Sequence, residues 1–333
     1  MSRRIERRRA RKGPAASPAE TSLIEGIQDM ELGAERQLIP FSSESCIEPK
    51  RTLDLFNEVL KDILQSPTLH DHVQEVKRAL YNRDYMAAFD TDNKRFAYVS
   101  RWTPARALSY SSLFASFQAI KRLLADKDQK RKVLCVGGGA ASELVGIASL
   151  FCRLKEFNPN SDSQLDVTIV DIANWSTVVT HFTSYIKSHW IYKPEKLNTT
   201  FIEGDILDSK VISNEGFDVD FITLLFTTNE LFCAKRSETI KFLQRLNTNC
   251  KKGAYLLIAE SAGSYSHITV GTKKFPVQFL VDTILVGKPN DDNGAWEIVD
   301  SSESCWYRIN EKEVSYPMKL ENMRFFFRLY RKR

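Results

Sequence analysis

Residues 133–143 read Val133-Leu134-Cys135-Val136-Gly137-Gly138-Gly139-Ala140-Ala141-Ser142-Glu143. Four apolar residues, three glycines and the start of an amphipathic stretch describe a strand, a tight turn and a helix. Glycine has no Cβ, so the backbone can turn sharply there and bring a ligand against the peptide plane. The helix that follows turns its N-terminus toward that ligand. Outward from this turn the rhythm is regular. Strands are predicted at Val133–Val136, Leu165–Val170, Thr199–Glu203, Phe217–Phe226 and Ala254–Ala259. Helices are predicted at Ala140–Leu154, Ile172–His189, Ser237–Asn249 and Phe275–Val286. Such alternation builds an α/β fold, a parallel sheet with helices on both faces. Trp296–Ile309 and Met323–Tyr330 break the pattern and predict an antiparallel hairpin at the sheet edge.

Upstream of the turn, apolar residues recur at helical spacing. Leu53, Phe56 and Leu60 mark one helix, Val73, Val76 and Leu80 a second, and Leu108, Leu113, Phe117, Ile120 and Leu124 a third. Thr103-Pro104 reads as the cap and first residue of that third helix. From Gly13 to about Lys50 the chain is rich in Ser, Pro, Ala and acids, a linker with at most one short helix near Leu23–Leu32. The expected organisation is a basic arm and linker over residues 1–50, a helical region over 51–128 and an α/β domain over 129–333.

Composition narrows the function classes. The chain has 333 residues, 43% of them hydrophobic, with 14 Gly and 11 Pro, which excludes a collagen-like or uniformly disordered chain. No apolar run approaches the roughly 20 residues of a membrane-spanning helix, and the N-terminus lacks the apolar stretch of a secretory signal. The net charge of +5 is not spread evenly: residues 1–12 alone carry seven Arg or Lys against one Glu. The basic character therefore belongs to an arm suited to nucleic acid or to import receptors. The six cysteines form no CxxC pair, and His70-Asp71-His72 has no downstream ligand cluster, so no metal is expected.

A Gly-rich turn serves nicotinamide, flavin and S-adenosylmethionine proteins alike. Two acids sharpen the reading. Asp171 ends the second strand, where a carboxylate can accept both hydroxyls of a ribose. Asp205 follows the third strand, where it can accept an adenine amino group or simply cap a turn. With these residues the sequence resembles the class I S-adenosylmethionine-dependent methyltransferases over about residues 130–333. The resemblance implies a Rossmann-like sheet, mostly parallel with an antiparallel terminal hairpin, S-adenosyl-L-methionine as cofactor, and cofactor contacts from Gly137, Gly138, Gly139, Asp171 and Asp205. One departure is Cys135, where the family usually has an acid two residues before the first glycine; Glu143 is a candidate substitute.

Leu225-Phe226-Thr227-Thr228-Asn229-Glu230-Leu231-Phe232 and Tyr98-Val99-Ser100-Arg101-Trp102-Thr103-Pro104-Ala105-Arg106-Ala107-Leu108 are similar to segments of the fungal large-subunit (25S) ribosomal RNA uridine-N3 methyltransferases. That likeness implies methylation of a uridine N3 in large-subunit rRNA or a pre-ribosome, in the nucleus or nucleolus, by an enzyme expected to be a monomer free of membrane. The N3 proton must leave before the nitrogen can attack, so Asn229 is the candidate for orienting the base and Glu230 for assisting proton removal. Glu230 reads equally well as an acid at a helix start. Arg101, Trp102 and Arg106 are candidates for RNA or cofactor-lid contacts, and Arg324, Arg328, Arg331, Lys332 and Arg333 for phosphates. Trp175 is placed near the adenine. A protein or small-molecule methyltransferase, and an assembly factor that has lost cofactor binding at Cys135, are the alternatives.

Overall fold

The computed structural model describes residues 37–127, 129–156, 161–263, 267–270, 273–287 and 294–333. The basic arm and the short helix expected near Leu23–Leu32 lie outside them. The described chain opens on a strand, β1 (Gln37–Ile39), which pairs in parallel with residues 305–307. The linker expected to run to Lys50 therefore ends sooner, and Ile39, Cys46 and Ile47 are buried. Six helices follow: α1 (Pro49–Val59), α2 (Lys61–Leu64), α3 (Leu69–Tyr81), α4 (Tyr85–Ala88), α5 (Asp92–Ser116) and α6 (Gln118–Ala125).

Helix α5 corrects the reading of Thr103-Pro104. Its cap is Thr91, whose side chain accepts from the Lys94 amide, and Pro104 lies inside the helix. Proline has no N–H to give the carbonyl four residues back. That carbonyl belongs to Ser100, and the Tyr316 hydroxyl donates to it at 3.0 Å. A residue more than two hundred positions away thus replaces the missing donor, which no local pattern reveals.

The α/β part alternates as expected: β2 (Lys130–Val136), α7 (Ser142–Glu156), β3 (Gln164–Asp171), α8 (Ser176–His189), β4 (Leu197–Glu203), β5 (Phe221–Leu225), α9 (Thr228–Ala234), α10 (Arg236–Asn249) and β6 (Tyr255–Ser261). A two-stranded unit, β7 (His267–Val270) with β8 (Lys273–Pro276), precedes α11 (Val277–Leu285). Helix α8 starts later than Ile172, Phe217 sits in a 3-10 turn before β5 rather than in the strand, and α9 is an addition. Two long strands end the chain, β9 (Trp296–Tyr307) and β10 (Met323–Lys332).

The main sheet has the order β1-β9-β10-β6-β5-β2-β3-β4. Strands β2 to β6 run parallel, and β10 pairs antiparallel with both β6 and β9. Alternate residues of one strand serve two cores. Val133 and Cys135 join the cluster under α1, α5, α7 and α8, while Leu134 and Val136 join the cluster under α10 and α11. Phe325 and Phe327 fill the first core and Phe326 the second, so the aromatic triplet is packing rather than a stacking surface.

Candidate active site

The strand order reverses at β2, which lies between β3 and β5, and the site opens outside the carboxyl ends of these strands. Gly137 takes φ +74°, a conformation that suits glycine, and a Cβ there would stand 2.4 Å from the Thr227 hydroxyl. A Cβ on Gly139 would overlap the Trp175 indole at 2.0 Å, so that ring packs against the bare turn. The Gly139 amide donates to Asp171 Oδ2 at 3.0 Å and the Ala173 amide to Oδ1 at 3.2 Å. The turn and the first acid are thus tied together. Burial pushes the Asp171 carboxyl above its ordinary value, against the pull of these amides.

Asp205, after β4, accepts from the Leu207 amide at 2.9 Å and from Lys235 Nζ at 2.7 Å. Gly137, Asp171 and Asp205 line one cavity of about 440 Å³, with Ile172, Leu207 and Leu225 among its apolar walls. That volume is within the range of sites that enclose a nucleoside-sized ligand. A carboxylate offers about four lone-pair positions, so both acids retain acceptors for hydroxyl or amino groups. The polar ends and apolar walls fit an adenosyl group.

A narrower hollow adjoins it, lined by Gly137, Asp171, Glu143, Arg106, Tyr98 and Trp175 among others. Glu143 is buried, and burial raises its carboxyl to about 8, although Arg106 pulls it down. Burial also opposes the Arg106 cation, but Tyr98, Tyr110 and Glu143 outweigh that effect. The Arg106 guanidinium donates to the Tyr98 hydroxyl and lies over the Phe226 ring, 5.7 Å from its centre. A Cβ on Gly138 would meet Cys135 Cβ at 3.0 Å and Glu143 Cδ at 3.5 Å. The acid missing from the strand at Cys135 is matched by one on the first turn of α7, in the same corner.

The helical region reaches into this site directly. The Thr103 hydroxyl donates to the Ala140 carbonyl at 3.2 Å, docking α5 on the glycine turn. Leu80, Tyr85, Phe89 and Tyr98 line the larger cavity from the same side. Phe226, which sequence reasoning did not single out, stands at φ +58°, costly for an aromatic residue. It and Arg106 line both the large cavity and a second pocket of about 280 Å³ that also includes Arg101, Trp102, Ser261 and Arg324.

The remaining candidates divide. Glu230 lines the large cavity, where burial raises its carboxyl while Arg83 lowers it. Its Oε2 accepts from the Tyr85 hydroxyl and lies 3.9 Å from an Arg83 nitrogen. Asn229 is 8% exposed, is not among the cavity-lining residues, and gives its backbone N–H to Glu260 at 2.9 Å. Arg101 is engaged by Glu321 and by the Lys319 carbonyl, and Trp102 packs against Tyr98. Arg328 is buried and paired with Glu303 and Asp282, so it is not a phosphate contact. Among the described residues no group of three or more His, Cys, Asp or Glu could hold a metal ion, and no helix is long and apolar enough to cross a membrane.

Residues 56–331 match a family described as "Putative SAM-dependent methyltransferase". The chain is 45% identical over 325 residues, 88% of each protein, to the 25S rRNA (uridine(2843)-N(3))-methyltransferase of Saccharomyces cerevisiae. Solved structures overlap more loosely: a SAM-dependent methyltransferase from Aquifex aeolicus (18% identity, 64% of this chain and 89% of that one, TM-score 0.35) and one from Methanosarcina mazei (13% identity, 65% and 97%, TM-score 0.41). The family match spans both the helical wall and the sheet of the site: this chain belongs to the S-adenosylmethionine-dependent methyltransferases.

Proposed function

We propose that the protein methylates N3 of a uridine in large-subunit ribosomal RNA. The observation that carries the substrate class is the 45% identity, over 88% of both chains, to the yeast 25S rRNA enzyme. The cavity system supports it, because a second pocket meets the large cavity at Phe226 and Arg106, giving cofactor and target base separate chambers with a common wall. Bound S-adenosylmethionine supplies the methyl group.

The chain's own residues bind, orient and exclude water. Asp171 takes the ribose hydroxyls and Asp205 the adenine amino group, with Gly137, Gly138 and Gly139 allowing the backbone to approach. In one hollow, the Arg106 cation suits the carboxylate of an amino-acid end, and Glu143, once ionised, suits its ammonium. The roles read from the sequence have Asn229 orienting the base and Glu230 assisting removal of the N3 proton. They require the base to reach past Phe226 into the large cavity, because Glu230 lines that cavity and not the second pocket, and Asn229 lines neither. A second role for Glu230 is supported by its contacts with Tyr85 and Arg83: it latches residues 83–89 over the cavity. Such an enzyme acts on a pre-ribosome, consistent with a nucleolar place.

Nucleoside mass spectrometry of large-subunit rRNA from cells with and without the gene tests the proposal. Loss of N3-methyluridine, restored by re-expression, is the expected result. An unchanged N3-methyluridine content rules the proposal out.

A further inference from the structure

Arg308, Trp306 and Arg324 form a cluster at the rim of the site. Trp306 and Arg324 are directly paired across β9 and β10, at the end of the sheet where β6 reaches Ser261. The Arg308 guanidinium lies over the Trp306 ring at 4.4 Å from its centre, and that of Arg324 at 5.8 Å. Arg324 also lines the 280 Å³ pocket that meets the cofactor cavity at Arg106 and Phe226. The ledge is therefore continuous with the proposed target-base chamber.

Charge sets these two arginines apart from the others nearby. Among the described residues neither Arg308 nor Arg324 has a carboxylate within ion-pair distance; Arg324 donates only to the Ser304 hydroxyl, at 3.0 Å, and Arg308 is exposed. Arg101, by contrast, is neutralised by Glu321, and Arg328 by Asp282 and Glu303. A guanidinium lying on an indole is pre-organised: its plane can stack on a nucleobase while its N–H edges reach phosphate oxygens.

We propose that Arg308 and Arg324, held against Trp306, form a nucleotide-binding ledge that grips single-stranded rRNA next to the base being methylated. The proposal rests on the rRNA reading for the identity of the strand, but the ledge's chemistry can be tested apart from it. A base that must leave its stack needs its neighbours held open, and unpaired cations beside an aromatic ring at the pocket mouth do this without reading sequence.

The test uses the full-length protein and a fluorescein-labelled oligouridylate of about twelve nucleotides, chosen for single-strand binding. Anisotropy is read across a salt series. Arg308→Ala and Arg324→Ala should each weaken binding about 3–10-fold. The double variant should flatten the plot of log affinity against log salt by about 1.4, since each phosphate contact on a single strand contributes about 0.7. Arg308→Lys should restore the slope but not the full affinity, because the ammonium keeps charge and loses the planar stack. Wild-type affinity and slope in the double variant overturn the ledge, as does failure of the unaltered protein to bind the oligouridylate or an equal preference for duplex RNA. Calorimetry with S-adenosylmethionine on the same variants, expected unchanged, reports folding. If the ledge variants lose RNA binding while N3-methyluridine is unaffected by gene deletion, the substrate assignment fails and the ledge stands. If deletion removes N3-methyluridine and the variants bind normally, the ledge alone fails.

Discussion

Glu143 is a buried acid whose neighbourhood decides what it does at each pH. Its folded value, raised to about 8 mainly by burial, stands well above the ordinary 4.5, and Glu260 at the end of β6 is raised to about 8 for the same first cause. A raised carboxyl keeps its proton in the folded chain after the unfolded chain has lost its own. Its stabilising contribution is complete below about 4.5 and disappears as pH rises through about 8. Stability of the free protein should therefore fall between these limits, and Glu143→Gln or Glu260→Gln should flatten the decline in urea titrations at several pH values. Cofactor affinity should move the opposite way, rising toward pH 8 as Glu143 ionises to meet an ammonium. Glu143→Gln should remove that rise and weaken binding at least tenfold by calorimetry; wild-type affinity would leave Cys135 without a substitute. The two roles for Glu230 separate kinetically. Proton removal predicts that Glu230→Gln lowers kcat at least a hundredfold and erases the acidic limb of the pH profile. The latch predicts that Tyr85→Phe and Glu230→Gln alike raise KM for the cofactor with kcat little changed. Asn229→Ala near wild-type turnover would remove Asn229 from the base-orienting role.

Among the elements, α5 shows most clearly what lies beyond sequence pattern. The strand, glycine turn and helix at 130–156 were readable because a short apolar run, φ-permissive glycines and helical spacing are all local. Asp171 and Asp205 were readable because strand ends in a parallel sheet share one crevice, and both line it. Pro104 misled for an equally physical reason: locally it ends or starts a helix, whereas here the lost N–H is answered by Tyr316. The Ser100 carbonyl belongs to a residue with no exposed surface, so removing that hydroxyl orphans a buried acceptor at a cost of about 1–3 kcal/mol. Tyr316→Phe should lower unfolding stability by that amount. In a Pro104→Ala background the same change should cost almost nothing, since residue 104 then supplies its own N–H to the carbonyl. A full cost in both backgrounds, read from chemical denaturation, would show that Tyr316 acts through something other than this bond. Phe226 escaped notice because a strained φ and a shared cavity wall leave no mark in a sequence.

At the scale of the whole molecule, the boundary expected near residue 128 is a change of rhythm within one continuous core. Leu53, Phe56, Val99 and Leu113 from the helices pack in the same cluster as Val133, Leu144, Ile169 and Phe327 from the α/β part. The cavity has the same double parentage, with Tyr85, Phe89 and Arg106 facing Asp171 and Asp205. Helices and sheet should therefore melt together, and a ligand in the cavity should stabilise both at once. S-adenosylmethionine at a hundred times its Kd should add about 2.7 kcal/mol, which corresponds to a rise in Tm of roughly 4 °C for a domain of about 300 residues. Scanning calorimetry should show a single transition without ligand and a single, higher one with it. If the ligand moved only part of a split transition, the helical wall would fold independently of the sheet, and the Thr103 bond to the glycine turn together with the shared core contacts would be too weak to couple them. A single transition that shifts as a whole would make those contacts the means by which cofactor binding orders the helical side of the site.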